Sequence, residues 1–276
     1  MTEDLVAAIR AQFPAKAPAR MGVAVSGGGD SVALLDLMHR AFPGNETEIF
    51  AATVDHGLRR EAADEARAVA RLCAGMGVDH STLRWQGWDG SGNLQDRARR
   101  ARYALLTEWA CENGISILAL GHTADDQAET VLMRLGRAAG VSGLAAMAPR
   151  RTQDGITLAR PLLGITRSAL RAYLTQRGIG WSDDPSNRDL RFDRIKAREA
   201  LVYLEPLGIN ATVLAEVARN MASVREALDW YVFLAARDIV EIDVGDVLID
   251  LRRFRTLPEE IARRLLLHGV SWVGGE

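Results

Sequence analysis

The sequence predicts an α/β protein, with a parallel twisted sheet flanked by helices and a small, mainly helical C-terminal unit. Short apolar segments alternate with helical segments of about 10 to 17 residues through most of the chain, as in parallel sheets covered on both faces. Polar motifs follow three of the apolar segments, where parallel sheets gather their ligands. The alternation stops near residue 207, which predicts two units, residues 1–206 and residues 207–276.

Each element follows from hydrophobic periodicity and from turn residues. Apolar and β-branched segments predict strands at residues 21–25, 49–54, 80–84, 115–120 and 157–159. Apolar residues at three- and four-residue spacing predict helices at residues 1–13, 31–42, 61–76, 94–111, 124–135 and 167–177. In the second unit the same reasoning predicts helices at residues 212–239 and 258–267, with an extended stretch at residues 247–251.

Composition excludes several classes of protein. The chain has 276 residues and a net charge of −2, and no apolar run is long enough to span a bilayer, so no membrane partner is expected. Its N-terminus lacks the pattern of a secretory signal. Cys73 and Cys111 are the only cysteines, without CxxC spacing, which argues against a disulfide scaffold or a zinc site and favours the cytoplasm. Both lie in helical apolar patterns and are expected to be buried.

Charge is unevenly distributed along the chain. Residues 150–198 contain eleven Lys or Arg residues against five Asp. Such a stretch would suit nucleic-acid phosphates, although each arginine taken singly is also compatible with an ordinary solvated surface. The candidate nucleic-acid contacts in this stretch are Arg160, Arg188, Arg191, Arg194 and Arg198.

A glycine-rich loop lies between the first strand and the following helix. Its sequence is Ser26-Gly27-Gly28-Gly29-Asp30-Ser31. Glycines let the backbone approach an anion, and free N–H groups at a helix start favour phosphate. Asp30 would be repelled by bare phosphate, so it predicts a Mg²⁺ bridging carboxylate and phosphate. The Gly-Lys-Ser/Thr of kinase-type loops and the GxGxxG spacing are both absent. The alternative is a tight turn with a helix cap.

The loop resembles the SGGxDS loop of PP-loop ATP pyrophosphatases, which cleave ATP between the α and β phosphates. Further segments resemble the tRNA(Ile)-lysidine synthase family, over about residues 20 to 200. These segments are Asp55-His56-Gly57-Leu58-Arg59, Asn93-Leu94-Gln95, Ala98-Arg99-Arg100-Ala101-Arg102-Tyr103, Gly121-His122-Thr123-Ala124-Asp125-Asp126-Gln127-Ala128-Glu129-Thr130, Arg160-Pro161-Leu162-Leu163 and Trp181-Ser182-Asp183-Asp184-Pro185-Ser186-Asn187.

The resemblance implies a Rossmann-like PP-loop fold and a ligase that forms a carbon–nitrogen bond. In that family ATP adenylates C2 of the wobble cytidine in the CAU anticodon of an isoleucine tRNA, and lysine then displaces AMP. The implied partners are this tRNA, L-lysine and ATP, with Mg²⁺ as cofactor and a second copy of the chain as a further candidate.

Residue roles are carried over position by position. The resemblance implies catalytic roles for Asp30, His122, Asp126 and Arg99, and lysine binding by Asp126 and Glu129. It implies that ATP is bound by the loop from Ser26 to Ser31 together with His56 and Arg59. From the residues alone, the carboxylate pair could hold Mg²⁺ or recognise the lysine ammonium, and the alternative is an acidic helix start. For Arg59 the alternative is a solvated arginine.

The sequence departs from the family pattern at three places. His122-Thr123 stands where the family often has His-His, and Arg194-Ile195 stands where it commonly has Arg-Asn. The C-terminal tRNA-binding domain of many members is not recognised, so residues 207–276 are interpreted as a helical linker or tRNA-contacting unit, truncated before a further domain.

The sequence supports two other functions less well. Another adenylating PP-loop enzyme, either a tRNA thiolase or an amidating synthetase, would require paired cysteines or an ammonia source, and neither is recognisable. A non-catalytic nucleotide-binding module is disfavoured because Asp30, Asp126 and Glu129 are all retained.

Overall fold

A computed structural model describes residues 2–44, 47–57, 61–86, 92–182 and 193–274. Within these residues the main sheet has the strands β1 (Arg20–Ala24), β2 (Glu48–Asp55), β3 (Asp79–Arg84), β4 (Ile117–Leu120), β5 (Arg150–Gln153) and β6 (Ile156–Ala159). The accompanying helices are α1 (Thr2–Arg10), α2 (Gly29–Ala41), α3 (Glu61–Met76), α4 (Leu94–Glu112), α5 (Ala124–Leu135), α6 (Val141–Leu144), α7 (Arg167–Arg177) and α8 (Asp193–Leu204).

The order of the strands places the candidate motifs together. The sheet runs β3-β2-β1-β4-β6-β5, and every neighbouring pair is parallel except β5 with β6. After β1 the chain builds outward through β2 and β3, and then returns to add β4 on the other side of β1. Ligand crevices form at such a reversal, outside the carboxyl ends of the strands. The loops that leave β1 and β4 therefore flank one crevice.

Helices cover both faces of the sheet. All four residues of β4 are buried, as expected for a central strand of a parallel sheet. On one face the core includes residues of α1, α2, α3 and α7, and on the other face it includes Leu106 and Trp109 of α4. Gly22 in β1 permits this second contact, since a Cβ there would lie 3.0 Å from both Leu118 and Trp109.

Helices α2 and α7 are connected at two levels. The buried Asp36 of α2 accepts a hydrogen bond from the Tyr173 hydroxyl and lies 3.4 Å from Nε of Arg177. Nearer the start of both helices, Asp30 Oδ2 lies 3.0 Å from Nε of Arg167. Asp30 and Asp36 are as far apart in α2 as Arg167 and Tyr173 are in α7, so the two helices lie side by side. The first turn of α7 is thereby fixed beside the glycine-rich loop.

The remaining elements form an extension of the sheet domain. They are a 3₁₀ turn (Glu205–Leu207), α9 (Ala211–Ile239), β7 (Val240–Asp243), β8 (Asp246–Ile249), α10 (Leu251–Phe254) and α11 (Glu259–Gly274). The first part of α9 packs on α5 through Leu214 and Ala218, and its last part forms a separate small core with α11. Arg264 of α11 contacts Asp229 of α9 at 2.6 Å and Ser142 of α6 at 2.8 Å.

The predicted fold class is confirmed, and the missed elements have physical explanations. Strand β5 was not predicted because its residues are polar and mostly exposed at the sheet edge. Helix α8 begins beside residues 183–192, where charged residues hide the periodicity. Cys73 is buried as expected, whereas the same expectation for Cys111 is wrong, because Cys111 is exposed in the last turn of α4. The boundary at residues 206 and 207 stays a prediction.

Among the described residues, no single helix combines the length and apolar character needed to cross a membrane. One pair of segments, residues 193–207 and α9, meets the length and composition criteria only when taken together, and it is bent by 98°.

Removing the hydroxyl that links α7 to α2 is expected to destabilise the protein. Tyr173→Phe leaves the buried Asp36 carboxylate without one of its hydrogen bonds, which costs about 1–3 kcal/mol in the free energy of unfolding. Urea denaturation followed by circular dichroism measures this cost. Tyr203→Phe is the matched control, because Tyr203 is 83% exposed. Equal stability of the two variants would contradict the assigned contact.

Candidate active site

The glycine-rich loop is closed by its own serines. The Ser26 N–H donates to Ser31 Oγ at 3.1 Å, and Ser31 Oγ donates to the Gly28 carbonyl at 2.9 Å. Gly27 has φ of +88°, a conformation that other residues rarely adopt. Gly28 caps α2 without any side-chain hydrogen bond. The backbone N–H groups at the start of α2 are therefore available to an anion.

Two neighbouring segments hold this loop in place. A Cβ at Gly121, directly after β4, would lie 3.2 Å from the backbone N and Cα of Ser31. On another side, the Ser182 N–H donates to the Gly27 carbonyl at 2.9 Å, and the indole of Trp181 lies 3.3 Å from a Cβ placed at Gly29. The loop is thus confined by β4 and by the segment after α7.

Three carboxylates meet beside the loop, and we call Asp30, Asp126 and Glu129 the carboxylate group. The guanidinium of Arg167 lies between them, with Nε 3.0 Å from Asp30, Nη2 3.4 Å from Asp126 and Nη1 3.7 Å from Glu129. Arg198 makes a closer contact to Glu129 Oε1, at 2.9 Å from Nε and 2.8 Å from Nη2. Two arginines therefore offset most of the negative charge.

Local structure at the start of α5 separates the two aspartates of this helix. Asp126 Oδ2 accepts from the Thr123 N–H at 2.8 Å and from its hydroxyl at 3.0 Å, which forms a capping box. Asp125 instead accepts from the backbone N–H of Arg167 at 2.7 Å. Asp126 thus directs Oδ1 toward Arg167, while Asp125 anchors the first turn of α7.

Burial affects the ionisation of the carboxylate group. Burial raises the pKa of Asp30, against the opposing effect of Arg167. Burial likewise raises the pKa of Glu129, which Arg198 opposes and Asp126 reinforces. The side chain of Glu129 is 1% exposed, and its Oε2 is buried with no hydrogen-bond partner among the described residues. Such an atom is costly to leave unsatisfied, so it marks a place for a donor.

Four arginines converge nearby, and we call Arg99, Arg102, Arg160 and Arg194 the arginine group. Arg99 and Arg102 lie over the ring of Tyr103 at 5.2 Å and 5.4 Å. The Arg160 Nη1 donates to the Ala148 carbonyl at 2.7 Å. In the described part of the chain, none of the four forms an ion pair with a carboxylate. Burial lowers the pKa of Arg102 and of Arg160, as expected where positive charges lack counterions.

The pKa of His122 is affected by both the carboxylate group and the arginine group. Burial lowers the pKa of His122 to about 4, and Asp126 opposes this, while Arg160, Arg102 and Arg194 add to it. Its Nδ1 is buried without a hydrogen-bond partner among the described residues. The imidazole is therefore neutral near pH 7, so one of its ring nitrogens is a hydrogen-bond acceptor. His56, which follows β2, packs edge-on against Trp85 at 5.8 Å, and burial lowers its pKa as well.

The structure brings many of the predicted site residues together at the carboxyl ends of the central strands β1 and β4. The loop, Asp30, His122, Asp126 and Glu129 lie around the crevice between β1 and β4. Arg198 contacts Glu129 although its own side chain is 37% exposed, and Arg160 is buried beside Tyr103, so both side chains line the site. Arg59, Arg188 and Arg191 lie outside the described residues.

Sequence reasoning missed the central position of Arg167, which it counted only among the basic residues of the second half. The available signal was its place after Thr166, whose hydroxyl caps α7 by accepting from the Ala169 N–H at 3.3 Å. A cation in the first turn of a helix is unfavourable with respect to the helix dipole, which suggests that it serves a local carboxylate.

The residues around Asp30 fit Mg²⁺ only as part of a nucleotide site. Among the described residues no group of three or more His, Cys, Asp or Glu side chains is arranged to hold a metal ion. Mg²⁺ in nucleotide sites is commonly held by one or two carboxylates together with substrate phosphates. One carboxylate beside a phosphate-binding loop meets that requirement, and Asp30 is the residue that would supply it.

Known proteins identify the family. The PP-loop domain family matches residues 1–205. The chain is 67% identical to the tRNA(Ile)-lysidine synthase of Ruegeria pomeroyi over 99% of its length, and 43% identical to that of Bradyrhizobium diazoefficiens, covering 92% of this chain and 73% of the relative. The chain belongs to the tRNA(Ile)-lysidine synthase family. It spans 65% of the length of the Ruegeria relative.

Solved structures agree on the fold of this family. The U34-tRNA thiolase NcsA from Methanococcus maripaludis, with its [4Fe-4S] cluster, superposes with a TM-score of 0.69, covering 81% of this chain and 78% of the thiolase. The two sequences are 17% identical, so the likeness establishes a common PP-loop fold and nothing narrower.

The neutral state of His122 predicts a pH dependence of stability. Because its pKa falls from an ordinary 6.5 to about 4 on folding, the unfolded chain binds more protons between these values. As the pH falls through this window, the wild type is expected to lose about 1–3 kcal/mol more stability than His122→Gln. Denaturation at several pH values measures the difference. The exposed-histidine variant His268→Gln should behave like the wild type, and an identical response of all three would contradict the prediction.

Proposed function

We propose that this chain carries the active site of an ATP-dependent ligase that forms lysidine in tRNA. ATP adenylates C2 of the wobble cytidine in the CAU anticodon of tRNA(Ile), with release of pyrophosphate, and the ε-amine of lysine then displaces AMP. The observation that carries the proposal is the meeting of two features at the carboxyl ends of β1 and β4. One is a glycine-rich helix start without a side-chain cap, and the other is the largely buried carboxylate group. The family membership supports the same reaction.

The activation step rests on the loop and the arginine group. Backbone N–H groups at the start of α2 suit the pyrophosphate end of ATP, and Asp30 would hold Mg²⁺, which neutralises phosphate charge when bound. Arginines that have no carboxylate partner among the described residues would stabilise the negative charge that develops on pyrophosphate and AMP as they leave. Arg99 is the member of the group that we assign to the departing AMP.

The amine step rests on Asp126, Glu129 and His122. An ammonium group donates three hydrogen bonds, and Glu129 Oε2 offers a buried acceptor that no described residue satisfies. Lysine must lose a proton before its amine can attack C2. His122 is neutral near pH 7, and the negative charge of bound phosphates would raise its lowered pKa toward the range of an effective base.

The remaining assignments are finer proposals. We assign ATP contacts to His56 and Arg59, and contacts to the tRNA backbone to Arg188, Arg191, Arg194 and other arginines of residues 150–198. Arg160 and Arg198 would act in this respect only after rearrangement, because their present contacts lie within the site. A cytoplasmic location and a homodimer stay predictions.

A tRNA thiolase is the second candidate function, since the superposed PP-loop structure is one. Within this chain Cys73 is buried, and burial raises the pKa of its thiol to about 11, which suppresses the reactive thiolate. Cys111 is exposed in the last turn of α4, and its thiol donates to the Asp154 carbonyl at 3.9 Å. Ligation to lysine is the better supported reaction.

The reaction is tested with the purified chain, ATP, Mg²⁺, labelled L-lysine and tRNA(Ile) transcripts. We expect lysine incorporation into the transcript with a CAU anticodon and none into the same transcript with UAU. Asp30→Ala is expected to lower pyrophosphate release at least about 100-fold, since it removes a charge at the phosphate site. Absence of incorporation despite measured tRNA binding would contradict the proposed function.

Glu129→Gln separates the two half-reactions. Loss of one buried negative charge is expected to raise the KM for lysine at least about tenfold. Pyrophosphate release with ATP and tRNA but without lysine is expected to change less than about threefold. Glu112→Gln, at the exposed end of α4, is the matched control, and thermal melting checks folding. An unchanged KM for lysine would exclude Glu129 as its ligand.

A further inference from the structure

A single side chain occupies both halves of the candidate site. Each nitrogen of the Arg167 guanidinium faces a different carboxylate, and these carboxylates come from two helices, α2 and α5. Asp30 belongs to the half assigned to nucleotide and metal, whereas Asp126 and Glu129 belong to the half assigned to the amine. Arg167 is therefore a cation that the two halves share.

We propose that Arg167 is a displaceable internal cation, which leaves the carboxylate group when nucleotide binds and so opens the amine site. This inference rests on the proposed function and adds to it a coupling between the two substrates. Arg167 is a positioning residue in this account, since it regulates access to Asp126 and Glu129 and reacts with nothing.

The distances indicate which contact can be exchanged. Arg198 holds Glu129 Oε1 at 2.8 Å and 2.9 Å, the range of strong charge-assisted hydrogen bonds. Arg167 approaches Asp126 and Glu129 only to 3.4 Å and 3.7 Å. Its contacts on the amine side are thus weak. In the part of the chain that the structure describes, Glu129 Oε2 has no hydrogen-bond partner although a guanidinium lies nearby. An ammonium ion that satisfied Oε2 would gain a contact that Arg167 does not make.

The backbone under Arg167 is fixed, so displacement requires only the side chain to move. The Arg167 N–H is held by Asp125 at 2.7 Å, and the Ala124 N–H donates to the Ile165 carbonyl at 2.9 Å. Tyr173 secures the same helix to Asp36. The side chain, in contrast, is a flexible stem at the first turn of α7, where the helix dipole disfavours a cation.

Nucleotide binding provides the reason for Arg167 to move. Asp30 Oδ2 can contact either Arg167 or a cation that accompanies the triphosphate. The phosphates are then new anionic partners for the released guanidinium. The carboxylates on the amine side then lose their shared cation and attract the lysine ammonium. Because such linkage is reciprocal, bound lysine must strengthen nucleotide binding by the same factor.

The test measures L-lysine binding by isothermal titration calorimetry, with and without Mg²⁺ and α,β-methylene-ATP, which resists cleavage between the α and β phosphates. For the wild type we expect lysine to bind about tenfold more tightly with the nucleotide present, within the usual range of coupling. For Arg167→Met, which removes the cation but keeps a flexible apolar side chain, we expect tight lysine binding without nucleotide and a residual coupling below about threefold.

Arg177→Met is the matched control. Like Arg167, Arg177 lies on α7 and pairs with an aspartate of α2, Asp36, at 3.4 Å, but it lies away from the glycine-rich loop. It should keep the coupling of the wild type. Arg167→Lys, which retains a cation, should keep part of it and serves if Arg167→Met fails to fold. Coupling that persists without a cation at residue 167, or weaker lysine binding in both states, overturns the inference alone. A wild type that binds no lysine in either state overturns the proposed amine and the inference together.

Discussion

The candidate site depends on three carboxylates being held close together, at the carboxyl ends of the central strands, against their mutual repulsion. Asp30 and Asp126 lie in the first turns of α2 and α5, where the helix dipoles favour negative charge. Glu129 lies one turn deeper and is almost fully buried, so it requires close counterions. Arg167 and Arg198 supply them from helices that are distant in sequence. The positions of α7 and α8 are therefore electrostatic requirements of the site as well as packing features.

The same constraint explains why the site separates into a negative and a positive part. The carboxylate group has two close arginines, whereas the arginine group has no carboxylate partner among the described residues. His122 is influenced by both groups, and burial decides the outcome by keeping it neutral. The reaction proposed for this chain, adenylation of a nucleobase followed by attack of an amine, needs both kinds of charge close together.

Much of the fold could be predicted from sequence because its signals are local. Helix α5 begins at an Ala after a capping threonine, and its predicted bounds match those observed, as do the predicted bounds of α3 and α7. Strand β5 is polar and forms only because β6 offers it an edge, which is a tertiary effect. The loop and the pair Asp126 and Glu129 are likewise readable from spacing. Arg167 is not, because its role depends on α7 lying beside α2, which the Asp36 and Tyr173 contact fixes across the chain.

The two arginines at Glu129 show how similar residues can differ in role. Arg198 makes two short contacts to one oxygen, so its removal would leave a buried charge with little compensation. Arg167 divides one guanidinium among three carboxylates and makes only one short contact, to Asp30. A ligand that competes for Asp30 alone therefore removes the strongest of its three contacts. The proposed coupling between nucleotide and amine therefore needs no movement of helices. Both ligands compete with the same side chain, that of Arg167, for its carboxylate partners.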